Sequence, residues 1–243
     1  MCGGGRVGTL NAMSRNALRA GGATGIAHVA VVIAGFAIEF SDIVDITLTA
    51  PRENLTKVFV DADPGPVFLG GHVELLGYLL LLPFAAALYR HLRSAESVGA
   101  FGALTSLLAV TAFVATTLSP GFAAGGAALW IGNHGGDLAS VEALNTLRNT
   151  TYVTSLAAYA FFFAAVGISG LAGRSLPKWL SISAVVLAGW LAVGLAFFTD
   201  GQADLPAMAG LIWSLAAAIW MVSTKISPSA GTRAAPLQAV SAA

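Results

Sequence analysis

A carboxylate set inside a run of lipid-soluble residues is the group in this sequence that most demands a chemical explanation. Residues 70–93 (GGHVELLGYLLLLPFAAALYRHLR) carry Glu74, with Tyr78 one turn further along the same helical face. In hydrocarbon a carboxylate has to be paired, solvated or protonated, since the free charge is costly there. A carboxyl and a phenol between apolar walls suit proton transfer to or from a lipophilic molecule. The plainer reading is an interhelical hydrogen bond made by the same two groups.

Other polar groups lie where they could join Glu74. Glu39 and Asp42 fall on one face of the preceding apolar stretch with His28 and Gly35, and that stripe should face protein or water. Two carboxyls brought close together leave one able to hold a proton near neutral pH. Asp45 is displaced round the helix and reads as solvated rim. His72 points about 200° away from Glu74 on their shared helix, so the two do not readily share a site. Later in the chain Glu142, Asn145, Asn149 and Tyr152 line one face of a helix, and His134 sits just before it. The catalytic candidates are therefore Glu74, Glu39 and Tyr78, and the ligand-binding candidates Asp42, His72, His134, Glu142, Asn145 and Tyr152. Glu39, Asp42, His72, His134 and Asp137 also supply metal-ligand types, but no HExxH, HxxxH or paired-cysteine spacing organises them. No cofactor is expected, and at most a divalent metal at the outer face. Ser169 lies in a Gly-Ile-Ser-Gly sequence like that of rhomboid proteases, yet no histidine follows it to act as base, so Gly167, Gly170 and Gly173 read as close helix packing.

The elements that position these groups follow from composition. The chain has 243 residues, of which 56% are hydrophobic and 10% charged. A mean hydropathy of +0.79 makes a lipid bilayer the expected solvent. The absence of net charge or of a basic patch gives no reason to expect a nucleic-acid partner. A single cysteine, Cys2, excludes an intrachain disulfide.

The pattern predicts an all-α polytopic membrane protein with six transmembrane helices and both termini cytoplasmic. Residues 1–20 read as a cytoplasmic lead-in to an uncleaved signal anchor, 21–225 as the six-helix domain and 226–243 as a disordered tail. The first span is expected at about 25–49, ending before Pro51, and residues 51–66 form an outer loop. Spans at about 67–89 and 99–118 follow, the latter stopping at Ser119-Pro120-Gly121, with 119–137 as a re-entrant or interfacial segment. A long helix capped by Asp137 or Ser140 runs to about 173, and two further spans end near 198 and 223. This topology puts Arg6, Arg15, Arg19, Arg90, Arg93, Arg174, Lys178, Lys225 and Arg233 inside and only Arg52, Lys57 and Arg148 outside, which satisfies the positive-inside rule and leaves the outer mouth acidic.

The order of spans, the LYRHLR ending of the second and the LPKWLSISAVVLAGWLAVG entry into the fifth resemble a set of uncharacterised six-helix integral membrane proteins common in actinobacteria. The resemblance covers about residues 20–225. It implies the fold and a bacterial cytoplasmic membrane, and it brings no activity or catalytic residue with it. The residues themselves point to an acidic pocket in the outer half of the bundle. Its expected use is acid/base chemistry on a lipophilic small molecule with Glu74 as proton donor or acceptor; a transporter, or an accessory subunit of a homo-oligomer or membrane complex, are the alternatives.

Overall fold

The computed structural model describes residues 4–39, 46–47, 50–93, 97–196 and 204–224. Asp42, Asp45 and the tail at 226–243 lie outside these residues. Among the described residues every regular element is helical: α1 (Gly4–Glu39), α2 (Arg52–Thr56), α3 (Pro64–Leu92), α4 (Ser97–Thr116), α5 (Ala123–Asn133), α6 (Leu138–Gly173), α7 (Lys178–Ala196) and α8 (Asp204–Ser223). Six stretches are long and apolar enough to cross a membrane: Asn16–Glu39, Pro64–Leu92, Ala100–Asn133, Leu138–Gly173, Lys178–Ala196 and Asp204–Ser223. The chain is a multi-pass integral membrane protein with a six-helix bundle.

Each span packs on the next in sequence, and the last, α8, returns to α1, which closes the ring. Its interior is aromatic. Phe113 stacks on Tyr159 with ring centroids 4.4 Å apart, and Phe163 meets Trp213 edge-on at 5.2 Å. The Trp213 indole N–H reaches the Leu180 carbonyl at 3.0 Å, so even this ring's polar atom is satisfied without water. Trp179, Ile182, Val186 and Trp190 stay exposed on α7, as a lipid-facing surface requires.

Three boundaries differ from those expected. The first helix begins well before residue 25, because the Gly21-Gly22 pair lies within it. Gly22 lets the Ala218 carbonyl of α8 approach to 2.7 Å of where a Cβ would sit, so these glycines serve packing rather than breaking the helix. That helix is described only as far as Glu39, short of the expected end before Pro51. The third span does not stop at Pro120. Thr117–Phe122 form a π-turn between α4 and α5, whose wider backbone takes in the proline ring and its missing N–H, so the segment expected to be re-entrant continues the span.

At 1.5 Å per residue the α4–α5 span and α6 are each about 50 Å long, against roughly 30 Å of hydrocarbon. The excess is folded. Residues 51–66 are not an open loop: α2 and a π-turn at Lys57–Asp61 bury Leu55 and Phe59 against Ala128, Leu129 and Val141. Asn133 donates to the Phe59 carbonyl at 3.1 Å. Arg52 pairs with Glu142, one of the two bonds being 3.0 Å long, and this contact raises the Arg52 pKa. Asp137, rather than Ser140, caps α6 by accepting from the Ser140 N–H at 2.9 Å. Bonds from the Ser140 hydroxyl and N–H hold this carboxyl below the usual range.

α1 and α3 run antiparallel with their backbones in close contact. A Cβ added at Gly35 would lie 2.7 Å from the Glu74 nitrogen, and one at Gly70 2.7 Å from the Glu39 nitrogen. Replacing Gly35 or Gly70 by Leu is therefore expected to cost about 1–3 kcal/mol through overpacking. Gly189→Leu on α7, where a Cβ meets nothing within 4 Å, should change stability little. Thermal unfolding in detergent measures both, and equal Tm values for Gly35→Leu and Gly189→Leu would refute the close seam.

Candidate functional site

The α1–α3 seam holds the polar groups in place. On α1, Gly21, Gly25, His28, Val32, Gly35 and Glu39 recur at alternating intervals of four and three, as do Gly70, Glu74, Gly77, Leu81 and Phe84 on α3. This is the spacing of an antiparallel coiled-coil seam. Each polar seam residue meets a glycine: Glu74 lies against Gly35, Glu39 against Gly70, and His28 bonds the backbone of Gly77. The missing side chains make room for large polar ones where two helices would otherwise exclude them.

Glu74 is 7% exposed and Tyr78 8%. The Tyr78 hydroxyl donates to the Glu74 carboxylate, and Glu39 is near enough for its charge to act on Glu74. Both carboxyls also feel the half-buried Arg148 of α6, whose side chain crosses α5 at Gly125; a Cβ there would lie 3.1 Å from the Arg148 Cδ. Arg148 acts on Tyr152 as well, one turn further along α6, and the Tyr152 hydroxyl donates to Asp204 at the start of α8. Three carboxyls, one guanidinium and two phenols thus share one half of the bundle, toward its acidic end.

A cavity of ≈ 40 Å³ lies deeper, walled by His28, Phe36, Tyr78, Phe113, Tyr152 and Tyr159 among others. A water needs roughly 10–15 Å³ by this measure, so about three would fit. The cavity is mainly aromatic, and neither Glu39 nor Glu74 is among the residues that wall it. The acidic groups and the cavity adjoin through Tyr78 and Tyr152.

The remaining candidates are held elsewhere. His72 is exposed and its Nδ1–H donates to the Phe68 carbonyl at 2.6 Å, one turn back. His134 does the same with the Trp130 carbonyl at 2.8 Å, its ring stacked on Trp130 at 3.8 Å, far from a role beside Glu74. Glu142 is taken by Arg52, while Asn145 and Asn149 both donate to the Ile46 carbonyl, at 3.1 and 2.9 Å. These three fix the chain after α1 to the start of α6. Of the proposed ligand-binding set, Tyr152 alone reaches the cavity; Asp42 is outside the described residues. Among the described residues no three His, Cys, Asp or Glu side chains form a group able to hold a metal. Ser169 is buried against Gly102, and Gly167 and Gly170 lie against Ser181, so these positions are packing contacts as expected.

Sequence reasoning missed Arg148, Tyr159 and Asp204. Arg148 offered a signal, since it stands four residues before Tyr152 and three after Asn145 and so shares their face. By charge distribution alone it reads only as one of the few outside cations. Compared with family models, curated proteins and solved structures, the chain matches none, so its function is argued from its own side chains.

Proposed function

We propose that this membrane protein exchanges protons at Glu74 with the aqueous phase at its acidic end, and couples that exchange to movement of a small solute through the bundle. The observation that carries the reading is the run of hydroxyl groups and space from Asp204 through Tyr152 and the ≈ 40 Å³ cavity to Tyr78, whose hydroxyl donates to Glu74. Ionisable residues buried within spans mark proton relays in pumps and transporters, and hydroxyls with room for water between them can extend such a relay to a charged surface. The volume of the cavity favours coupling over catalysis. Sites for drug-sized ligands occupy roughly 300 Å³ or more, whereas this cavity admits only a few atoms.

Acid/base catalysis on a lipophilic small molecule remains as the second reading. Arg148 favours it, because a cation beside two carboxyls can stabilise negative charge that develops during reaction. Such a molecule would have to enter by parting α6 from the α1–α3 seam.

We assign the acidic end, with Glu53, Asp61, Asp63 and Asp137, to the outside of a bacterial cytoplasmic membrane, and the end with Arg90, Arg93, Arg174 and Lys178 to the inside. In a Cys2→Ser background, Asp63→Cys should react with an impermeant thiol reagent added to intact cells, and Lys178→Cys only after permeabilisation. The reverse pattern would invert the assignment.

Reconstituted vesicles carrying a pH gradient and an internal pH dye test the function. With a small solute supplied on one side, wild-type protein should carry protons above the protein-free background, and Glu74→Gln, which keeps volume and hydrogen bonding, should lower the flux by about 10². Unchanged flux in Glu74→Gln makes Glu74 structural. No flux in the wild type, together with loss of turnover of a lipophilic substrate in the variant, would establish the second reading in its place.

A further inference from the structure

His28 takes no part in the Glu74–Tyr78 bond, yet it is among the most deeply buried polar groups, at 0% exposure near the middle of its span. One ring nitrogen is accounted for. The Gly77 carbonyl 2.7 Å from Nδ1 can only accept, so Nδ1 carries the proton and the neutral ring leaves a lone pair on Nε2. Nε2 is buried without a hydrogen-bond partner. A buried acceptor with nothing to accept from is costly, and this ring forms part of the cavity wall.

The neighbouring phenols do not supply the missing donor. None of their hydroxyls lies within hydrogen-bond distance of Nε2, and the Tyr159 hydroxyl lies instead 3.5 Å from that of Ser214. The proton for Nε2 has to come from an occupant. Much of the rest of the wall is ring surface, from Phe36, Tyr78, Phe113, Tyr152 and Tyr159, completed by aliphatic side chains of α6 and α8, and aromatic faces attract cations. Asp204 lies beyond the Tyr152 ring and adds negative charge, which Arg148, acting on the same ring, partly offsets. The space fits about three water-sized bodies.

We propose that the cavity binds a small cationic hydrogen-bond donor of the ammonium or methylammonium class, held by a bond to His28 Nε2 and by the faces of the surrounding rings. This names the solute class for the coupled movement described above. It stands on His28 and the cavity, not on the proton at Glu74, so binding and proton flux fail independently.

The test is thermal unfolding of the full-length protein in detergent with ammonium, methylammonium, tetramethylammonium or sodium chloride at equal ionic strength. Ammonium and methylammonium should raise Tm saturably above sodium, and tetramethylammonium, too large for the cavity, should not. His28→Leu should weaken the effect at least about tenfold, the loss of one charge-assisted bond, while His28→Gln, which keeps an acceptor oxygen, should retain part of it. Should His28→Leu fail to fold, Ala207→Leu fills the cavity from α8 with His28 intact and should give the same loss. Equal Tm in ammonium and sodium would mean that the cavity holds water only. An equal rise with tetramethylammonium, or full affinity in both His28→Leu and Ala207→Leu, would put the effect elsewhere; each of these results overturns the proposal.

Discussion

The structure depends on the contact between α1 and α3, where each large polar side chain is matched by a residue with none. Gly35 lies under Glu74, Gly70 under Glu39, and the Gly77 carbonyl accepts a hydrogen bond from His28 Nδ1–H. Ionisable side chains within a span are costly unless they are paired or hydrogen-bonded, so three of them on one seam need both room and partners. Glycine gives the room by letting the helices close to backbone contact. Tyr78 and the Gly77 carbonyl are direct partners, and Arg148 supplies opposite charge from α6.

The rest of the bundle keeps that seam in register. α8 closes the ring onto α1 at Gly22 and Gly25, and the aromatic stack of Phe113, Tyr159, Phe163 and Trp213 fills the space behind the seam. At the acidic end Arg52–Glu142 and the two asparagine bonds to Ile46 tie α2 and the chain after α1 to α6. The polar half therefore has a fixed floor and roof. Between them lies a cavity large enough for a few waters but too small for an acyl chain, and this size makes proton coupling a better account than catalysis on a lipid.

The six spans were legible because hydropathy needs only local sequence, and so was the isolation of Glu74 with Tyr78. Pro120 and Gly21-Gly22 misled for one reason. Proline and paired glycines interrupt helices in water, but inside a bundle a π-turn and close packing absorb them. Glu142, Asn145 and His134 have the residue types of a binding site, yet they are engaged at the end of the bundle by the Arg52 pair, the bond to the Ile46 carbonyl and the stack on Trp130. Arg148 and Asp204 lie far from Glu74 in sequence, and their role depends on tertiary packing that no local pattern records. The reciprocal glycine spacing of α1 and α3 was present in the sequence; it becomes informative only once the two helices are known to be antiparallel partners.

Infrared difference spectroscopy across a pH titration, comparing wild type with Glu74→Gln, tests the central claim most directly by following one carboxyl. A protonated-carboxyl carbonyl band should appear with falling pH, vanish in Glu74→Gln, move in frequency in Tyr78→Phe as its hydrogen bond is removed, and shift in heavy water as the proton exchanges. A Glu74 band that ignores heavy water, or difference spectra identical in wild type and Glu74→Gln, would show that this carboxyl does not exchange protons with the aqueous phase and would contradict the account.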